Sequence, residues 1–319
     1  MRHENKKLLP IIITDPSKIA DTSLATLDRL DLPELAERGI QADVLRLDKI
    51  HPVISGNKWF KVKYYLQKAL QNQHIAILTF GGPYSNHIVA AARAAREAGL
   101  GSIGIIRGER PETLSHTLQN ALDDGMRLQF ISREEYRRKT DAFFLSRILG
   151  ENPGTCLVPE GGAGPEGIRG CEEILQLVDK EKYTHILCAA GTATLLRGLI
   201  NASGPRQEII GISVLKGFSE LPPDCGEGHL PAEKVSNGRL IADYHFGGYA
   251  RRSGPLFAFM NKWYGLTGIP TDFVYTAKLF YAAFDLVKTG YFPQGSRLLL
   301  IHSGGLQGNL SLEPGILSF

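Results

Sequence analysis

The sequence offers little to a membrane, a nucleic acid or a metal. Its 36 lysines and arginines nearly balance 33 aspartates and glutamates. The resulting net charge of +3 is too small to draw a polyanion or a membrane surface. No apolar run reaches the roughly 18 residues of a membrane span. Residues 1–7 are polar and charged, with no secretory core after them. Cysteine is scarce: Cys156, Cys171, Cys188 and Cys225 form no Cys-x-x-Cys pair, which argues against zinc and thioredoxin-like chemistry. Cys188 lies in an apolar strand pattern and reads as a small core residue. The nine histidines show no metal-ligand spacing, so no metal is expected. Repeats, low-complexity tracts and long linkers are also missing. The expectation is a cytoplasmic protein with reduced thiols.

What is present is an ordinary globular mix, 43% hydrophobic and 22% charged over 319 residues. That length can bury a sizeable core in one large or two modest domains. From about Ile75, strand and helix patterns alternate. Strands are expected at 74–80, 102–109, 127–132, 156–160, 184–190 and 208–215. Helices are expected between them at 85–98, 113–124, 134–149, 165–179 and 192–201. After Leu215 the pattern loosens into a Gly- and Pro-rich loop at 216–237. A strand at 240–245, helices near 255–266 and 275–289, and a last strand at 297–302 follow. Apolar strands separated by helices of ten or more residues indicate an α/β fold with parallel sheets covered on both faces. Residues 55–150 read as a small α/β domain inserted into a larger one formed by 1–54 and 151–319. Such layouts bind ligands beyond the carboxyl ends of strands.

Three segments stand out, each read as a strand end meeting a helix start. In Ser55-Gly56-Asn57-Lys58, Lys58 falls in the first helical turn, where the helix dipole disfavours a cation. An amine so placed loses its proton more readily, which suits a Schiff-base lysine. By itself the segment is better read as an ordinary surface lysine beside Lys61 and Lys63. In Gly81-Gly82-Pro83-Tyr84-Ser85-Asn86-His87, the glycines admit close approach to a ligand. Ser85 can cap the helix, Asn86 offers donor and acceptor, and Ser85 and His87 can move protons. The third, Gly191-Thr192-Ala193-Thr194-Leu195, opens a helix whose N–H groups and threonine hydroxyls suit an anion. It has no P-loop lysine, so triphosphate hydrolysis is not expected. A competing signal, Gly162-Ala163-Gly164-Pro165-Glu166-Gly167, matches G-x-G-x-x-G. The following strand lacks the acidic residue a ribose needs, so a dinucleotide cofactor is the weaker reading.

Together these segments resemble the family of 1-aminocyclopropane-1-carboxylate deaminase and D-cysteine desulfhydrase. These are pyridoxal-phosphate (PLP) enzymes of the tryptophan synthase β-like fold type. The resemblance runs from about Leu45 to Gly305. Its most specific piece is Gly56-Asn57-Lys58 followed by Ser85-Asn86-His87. The resemblance implies a two-domain fold with parallel-rich sheets flanked by helices, PLP as cofactor, and a homodimer. It gives Lys58 the covalent attachment of PLP, Asn86 the ring's phenolic oxygen, and Ser85, Asn86 and His87 the substrate. It gives Gly191, Thr192, Ala193, Thr194 and Leu195 the phosphate. Two tyrosines near the substrate match Tyr249 and Tyr275, and His302-Ser303-Gly304-Gly305 matches the loop at the pyridine ring.

Departures from the family bear on the reaction. Trp59-Phe60 stands where characterised members have Thr-Arg, which puts substrate specificity in question. Thr276 stands where the deaminases have Glu beside the ring nitrogen, and Ser303 is a second hydroxyl candidate. A hydroxyl partner makes the ring a moderate electron sink, suited to β-elimination more than to cyclopropane opening. The implied reaction is α,β-elimination of D-cysteine to pyruvate, ammonia and sulfide. 1-Aminocyclopropane-1-carboxylate deamination and PLP binding without turnover stay open as alternatives.

Overall fold

The computed structural model describes residues 15–220 and 237–319. Cys225 and most of the loop expected at 216–237 lie outside the described residues.

Strands β1 (Thr26–Arg29) and β2 (Gln41–Arg46) flank a short helix, α1 (Pro33–Glu37). After them comes α2 (Asn57–Gln71). Four β-strands follow: β3 (Ala76–Gly81), β4 (Gly101–Arg107), β5 (Met126–Ile131) and β6 (Thr155–Val158). They form one parallel sheet in the order β5-β4-β3-β6. Strand β6 lies beyond the boundary expected at 150 and completes this sheet. A second sheet holds β7 (His185–Ala190), β8 (Glu208–Ser213), β9 (Gly238–Ile241) and β10 (Arg297–His302). Its order is β1-β2-β10-β7-β8-β9, with only β1 antiparallel. The last strand in the chain therefore lies inside the larger sheet, between β2 and β7. The strands β3, β7 and β10 are buried along nearly all their length, as parallel strands covered on both faces must be.

Helices α3 (Asn86–Glu97), α4 (His116–Asp123) and α7 (Pro165–Glu172) match expectation in place. So do α8 (Thr194–Ala202), α9 (Gly254–Thr267) and α10 (Thr276–Lys288). The helix expected at 134–149 is instead two, α5 (Arg133–Tyr136) and α6 (Ala142–Glu151). Asp141 breaks it: its carboxylate accepts from the Phe144 N–H at 2.7 Å and caps the second helix. The helix expected at 165–179 ends as α7 at Glu172 and continues as a 3₁₀ turn, Glu173–Leu177.

The G-x-G-x-x-G stretch serves packing. A Cβ on Gly167 would lie 1.8 Å from the Gly162 carbonyl oxygen, and one on Gly170 would lie 1.7 Å from that of Phe60. These glycines let α7 press against α2 and the turn before it. Trp59 and Phe60 are each 1% exposed and join the core cluster that includes Ile19 and Ala20. The Trp-Phe departure therefore faces the core and a surface hollow, not the main cavity.

Candidate active site

One cavity of about 530 Å³ is lined from both sheets' connections, a size typical of small-molecule sites. Its walls include Lys58, Ser85, Asn86, His87, Gly191, Thr192, Tyr249, Tyr275 and Ser303. Segments more than 200 residues apart in sequence thus meet in one space. Ala193, Thr194, Leu195 and Thr276 are buried behind the wall and do not line it.

Lys58 is placed by close contact between two loops. Gly56, at φ +71°, precedes α2, and the Asn57 N–H donates to the Ser303 carbonyl at 3.2 Å. The segment does not directly follow a strand, because a 3₁₀ turn, Leu47–Lys49, and a loop intervene after β2. The Lys58 amine donates to Asn57 Oδ1 at 2.7 Å and stands 5.4 Å from the centre of the Tyr275 ring. Burial, then the Lys61 charge, pushes its pKa down to about 7, with Asp272 opposing. Burial is thus the main cause that favours the unprotonated amine.

The Ser85 segment leaves β3 and enters α3. Ser85 occupies the N-cap position yet makes no capping bond, so its hydroxyl is not spent on the helix. His87 Nε2 lies 2.8 Å from Thr79 Oγ1, and that hydroxyl donates to the Val158 carbonyl at 2.7 Å. With its one proton so engaged, Thr79 must accept from His87, which fixes the Nε2–H tautomer. Burial and the two lysines push the His87 pKa down to about 3. His87 is neutral at physiological pH: its one N–H is spent on Thr79, so its other nitrogen, Nδ1, can only accept. Its Nδ1 and Asn86 Oδ1 are buried without a partner among the described residues.

At the third segment, Ala193 takes φ +59°, a left-handed conformation. For a non-glycine residue this costs roughly 1–2 kcal/mol. The turn brings the Thr192 and Thr194 hydroxyls to 3.0 Å and starts α8 facing the cavity. Opposite it, the Tyr249 and Tyr275 hydroxyls are 3.3 Å apart with rings crossed at 74°. Tyr249, 45% exposed, stands at the mouth.

Lys61 is the residue the sequence reading passes over. One turn after Lys58, it shares the cavity-facing side of α2 and is buried, with no carboxylate in ion-pair contact among the described residues. Burial pushes its pKa down. Asp272, the acid that acts on Lys58, is spent on the start of α10. It accepts from the Val274, Tyr275 and Thr276 N–H groups at 3.0, 2.9 and 2.9 Å. It also accepts from the Thr276 hydroxyl at 2.7 Å.

Two uncompensated lysines, two helix N-termini and orphaned polar atoms on Asn86 and His87 make a site for an anion that also hydrogen-bonds. A phosphorylated aldehyde fits that donor set: Lys58 for the carbonyl carbon, and Lys61 with the Gly191-Thr192 turn for the phosphate. Replacing Lys61 with methionine should weaken PLP binding by roughly 10- to 100-fold, measured by titrating the apoprotein.

No family model matches the chain. It is 29% identical over 297 residues to a Pyrococcus abyssi protein provisionally named a 1-aminocyclopropane-1-carboxylate deaminase, covering 87% of this chain and 88% of that one. It is 24% identical to D-cysteine desulfhydrase of Salmonella newport, over 89% and 93% of the two chains. Among solved structures, an ACC deaminase homologue superposes with TM-score 0.73 at 24% identity, covering 94% and 93%. A threonine deaminase from Solanum lycopersicum gives 0.65 at 15%, covering 92% and 86%. These relatives bear out the resemblance, the fold class, the enzymatic character and the PLP dependence expected from the sequence.

Proposed function

On the premise that the chain is a PLP-dependent enzyme related to 1-aminocyclopropane-1-carboxylate deaminase and D-cysteine desulfhydrase, we propose that it eliminates the β-substituent of a small amino acid, with D-cysteine as substrate. The observation that carries this reading is the engagement of Asp272. Both its oxygens are held at the start of α10, and of the two hydroxyls considered for the ring nitrogen only Ser303 lines the cavity. Thr276, the other hydroxyl candidate, donates its proton to Asp272. The carboxylate on the cavity wall, Glu160, accepts from the Tyr136 hydroxyl at 2.7 Å and pairs with Lys139 at 3.4 Å. With no free carboxylate in the site among the described residues, a moderate electron sink is favoured, and so a reaction in which a leaving group carries electrons away.

PLP supplies an electron sink for the bond at the substrate's Cα. The protein's residues do the rest. The N-terminus of α3, with Ser85, binds the substrate carboxylate. Neutral His87 and Asn86 accept hydrogen bonds from the bound molecules. Lys58, whose burial lowers its pKa to about 7 and so favours the neutral amine, takes the Cα proton. The Tyr249 and Tyr275 hydroxyls hold a proton beside the departing sulfur, and Tyr249 narrows the mouth against water. Sulfide leaves from Cβ, and one water from solvent then hydrolyses the remaining enamine, so that the products are pyruvate, ammonia and sulfide.

Among the described residues, no helix is long and apolar enough to cross a membrane. None of their His, Cys, Asp and Glu groups could hold a metal ion. The unpaired thiols of Cys156, Cys171 and Cys188 accord with the cytoplasmic setting we propose; the proposed homodimer rests on the resemblance alone. Incubation of the purified, PLP-loaded protein with small D- and L-amino acids tests the reaction. Equimolar sulfide and pyruvate from D-cysteine is the expected result. 2-Oxobutyrate from 1-aminocyclopropane-1-carboxylate, with no sulfide from D-cysteine, would replace it with the deaminase reading. No turnover at all would leave a PLP-binding protein.

A further inference from the structure

We propose that Lys278 is a positioning residue that holds Tyr249 against Tyr275, an inference that rests on the proposed roles of those two tyrosines. Lys278 lies on α10 one turn after Tyr275 and is fully buried at 0% exposure. No carboxylate pairs with it among the described residues. Its ammonium donates instead to two carbonyls, Gly248 at 2.8 Å and Val214 at 3.4 Å. Val214 precedes Leu215, and Gly248 precedes Tyr249; both following residues line the cavity.

The Tyr249 loop needs such a tie. Phe246, Gly247, Gly248 and Ala250 all have positive φ, at 49°, 86°, 119° and 53°. Two of the four are not glycine, and backbone of this kind persists only where its surroundings over-determine it. Within the loop, the Gly248 N–H donates to the His245 carbonyl at 3.0 Å, and the Gly247 N–H donates to His245 Nδ1 at 2.9 Å. The Gly248 carbonyl also accepts from the Arg251 N–H at 3.4 Å. Two ties out of the loop run to α10: the Phe246 ring meets Tyr281 edge-on at 4.8 Å, and the Lys278 ammonium donates to the Gly248 carbonyl. The helix that presents Tyr275 thus also fixes the backbone next to Tyr249. A buried cation costs free energy that carbonyl pairing offsets only in part. A lysine held here for packing alone would be served equally well by an apolar chain of its length.

Amide hydrogen exchange on PLP-loaded Lys278→Met tests this without reference to the substrate. Exchange in the segment around 245–251 should accelerate about tenfold or more, while Arg297–His302 in β10 stays protected. Unchanged exchange in that segment would overturn the proposal, as would equal acceleration throughout the protein. If Lys278→Met gives no soluble protein, Lys278→Arg is read by the same criterion, since its planar fork does not reproduce the two carbonyl contacts. On whichever amino acid the wild type turns over, Tyr249→Phe should cost much less kcat in the Lys278→Met background than alone. Full multiplication of the two losses would contradict a shared role. Failure of D-cysteine as substrate would count against the proposed reaction and leave the exchange result to judge Lys278.

Discussion

Lys58→Ala should yield a folded protein that binds PLP only reversibly and has lost roughly 10⁴-fold or more of its turnover. The substitution removes the one amine among the described residues that combines cavity access, a pKa pushed down to about 7 and contact with Asn57 and the Tyr275 ring. Lys61 lies one turn away and is also buried, yet it does not make these contacts. Loss of covalent PLP with an unchanged melting temperature would separate the chemical role of Lys58 from a structural one. A Lys58→Ala protein with normal turnover would rule that role out.

Gly56→Ala should damage both the fold and the site. A Cβ there would lie 1.9 Å from the Ser303 carbonyl oxygen, 2.3 Å from its carbon and 2.6 Å from the Gly304 nitrogen. These are backbone atoms and cannot swing aside, and φ at Gly56 is +71°. Left-handed strain and overpacking together cost about 3–5 kcal/mol. Urea denaturation should show that loss, and the protein that remains folded should bind PLP weakly, since Lys58 and Ser303 would be driven apart. A stability within about 0.5 kcal/mol of wild type would mean that the two loops are not in the contact described.

Much of this was legible in the sequence, for identifiable reasons. The parallel strands are apolar along their whole length, so β3, β7 and β10 stood out, and β10 matches its expected bounds of 297–302. The cavity's main segments were found because each couples glycine or a small polar residue to the start of a helix. Three features depended on tertiary contact and were not legible. Lys61 looked like any surface lysine, because its burial comes from the turn at Gly162, where a Cβ would lie 2.7 Å from the Lys61 Cβ. Thr276 was a candidate for the ring nitrogen, but Asp272, four residues earlier, claims its hydroxyl. His87 was read as a proton carrier, and only the Thr79–Val158 hydrogen bond reveals which nitrogen is protonated. The break between α5 and α6 had a local signal, Asp141 ahead of Phe143-Phe144, that apolar periodicity overrode.

The assignment of Lys58 is tested most directly by reducing the PLP-loaded protein with borohydride and mapping the modified peptide by mass. PLP should be found on Lys58, at one per chain. PLP on Lys61, or no covalent PLP at all, would contradict it.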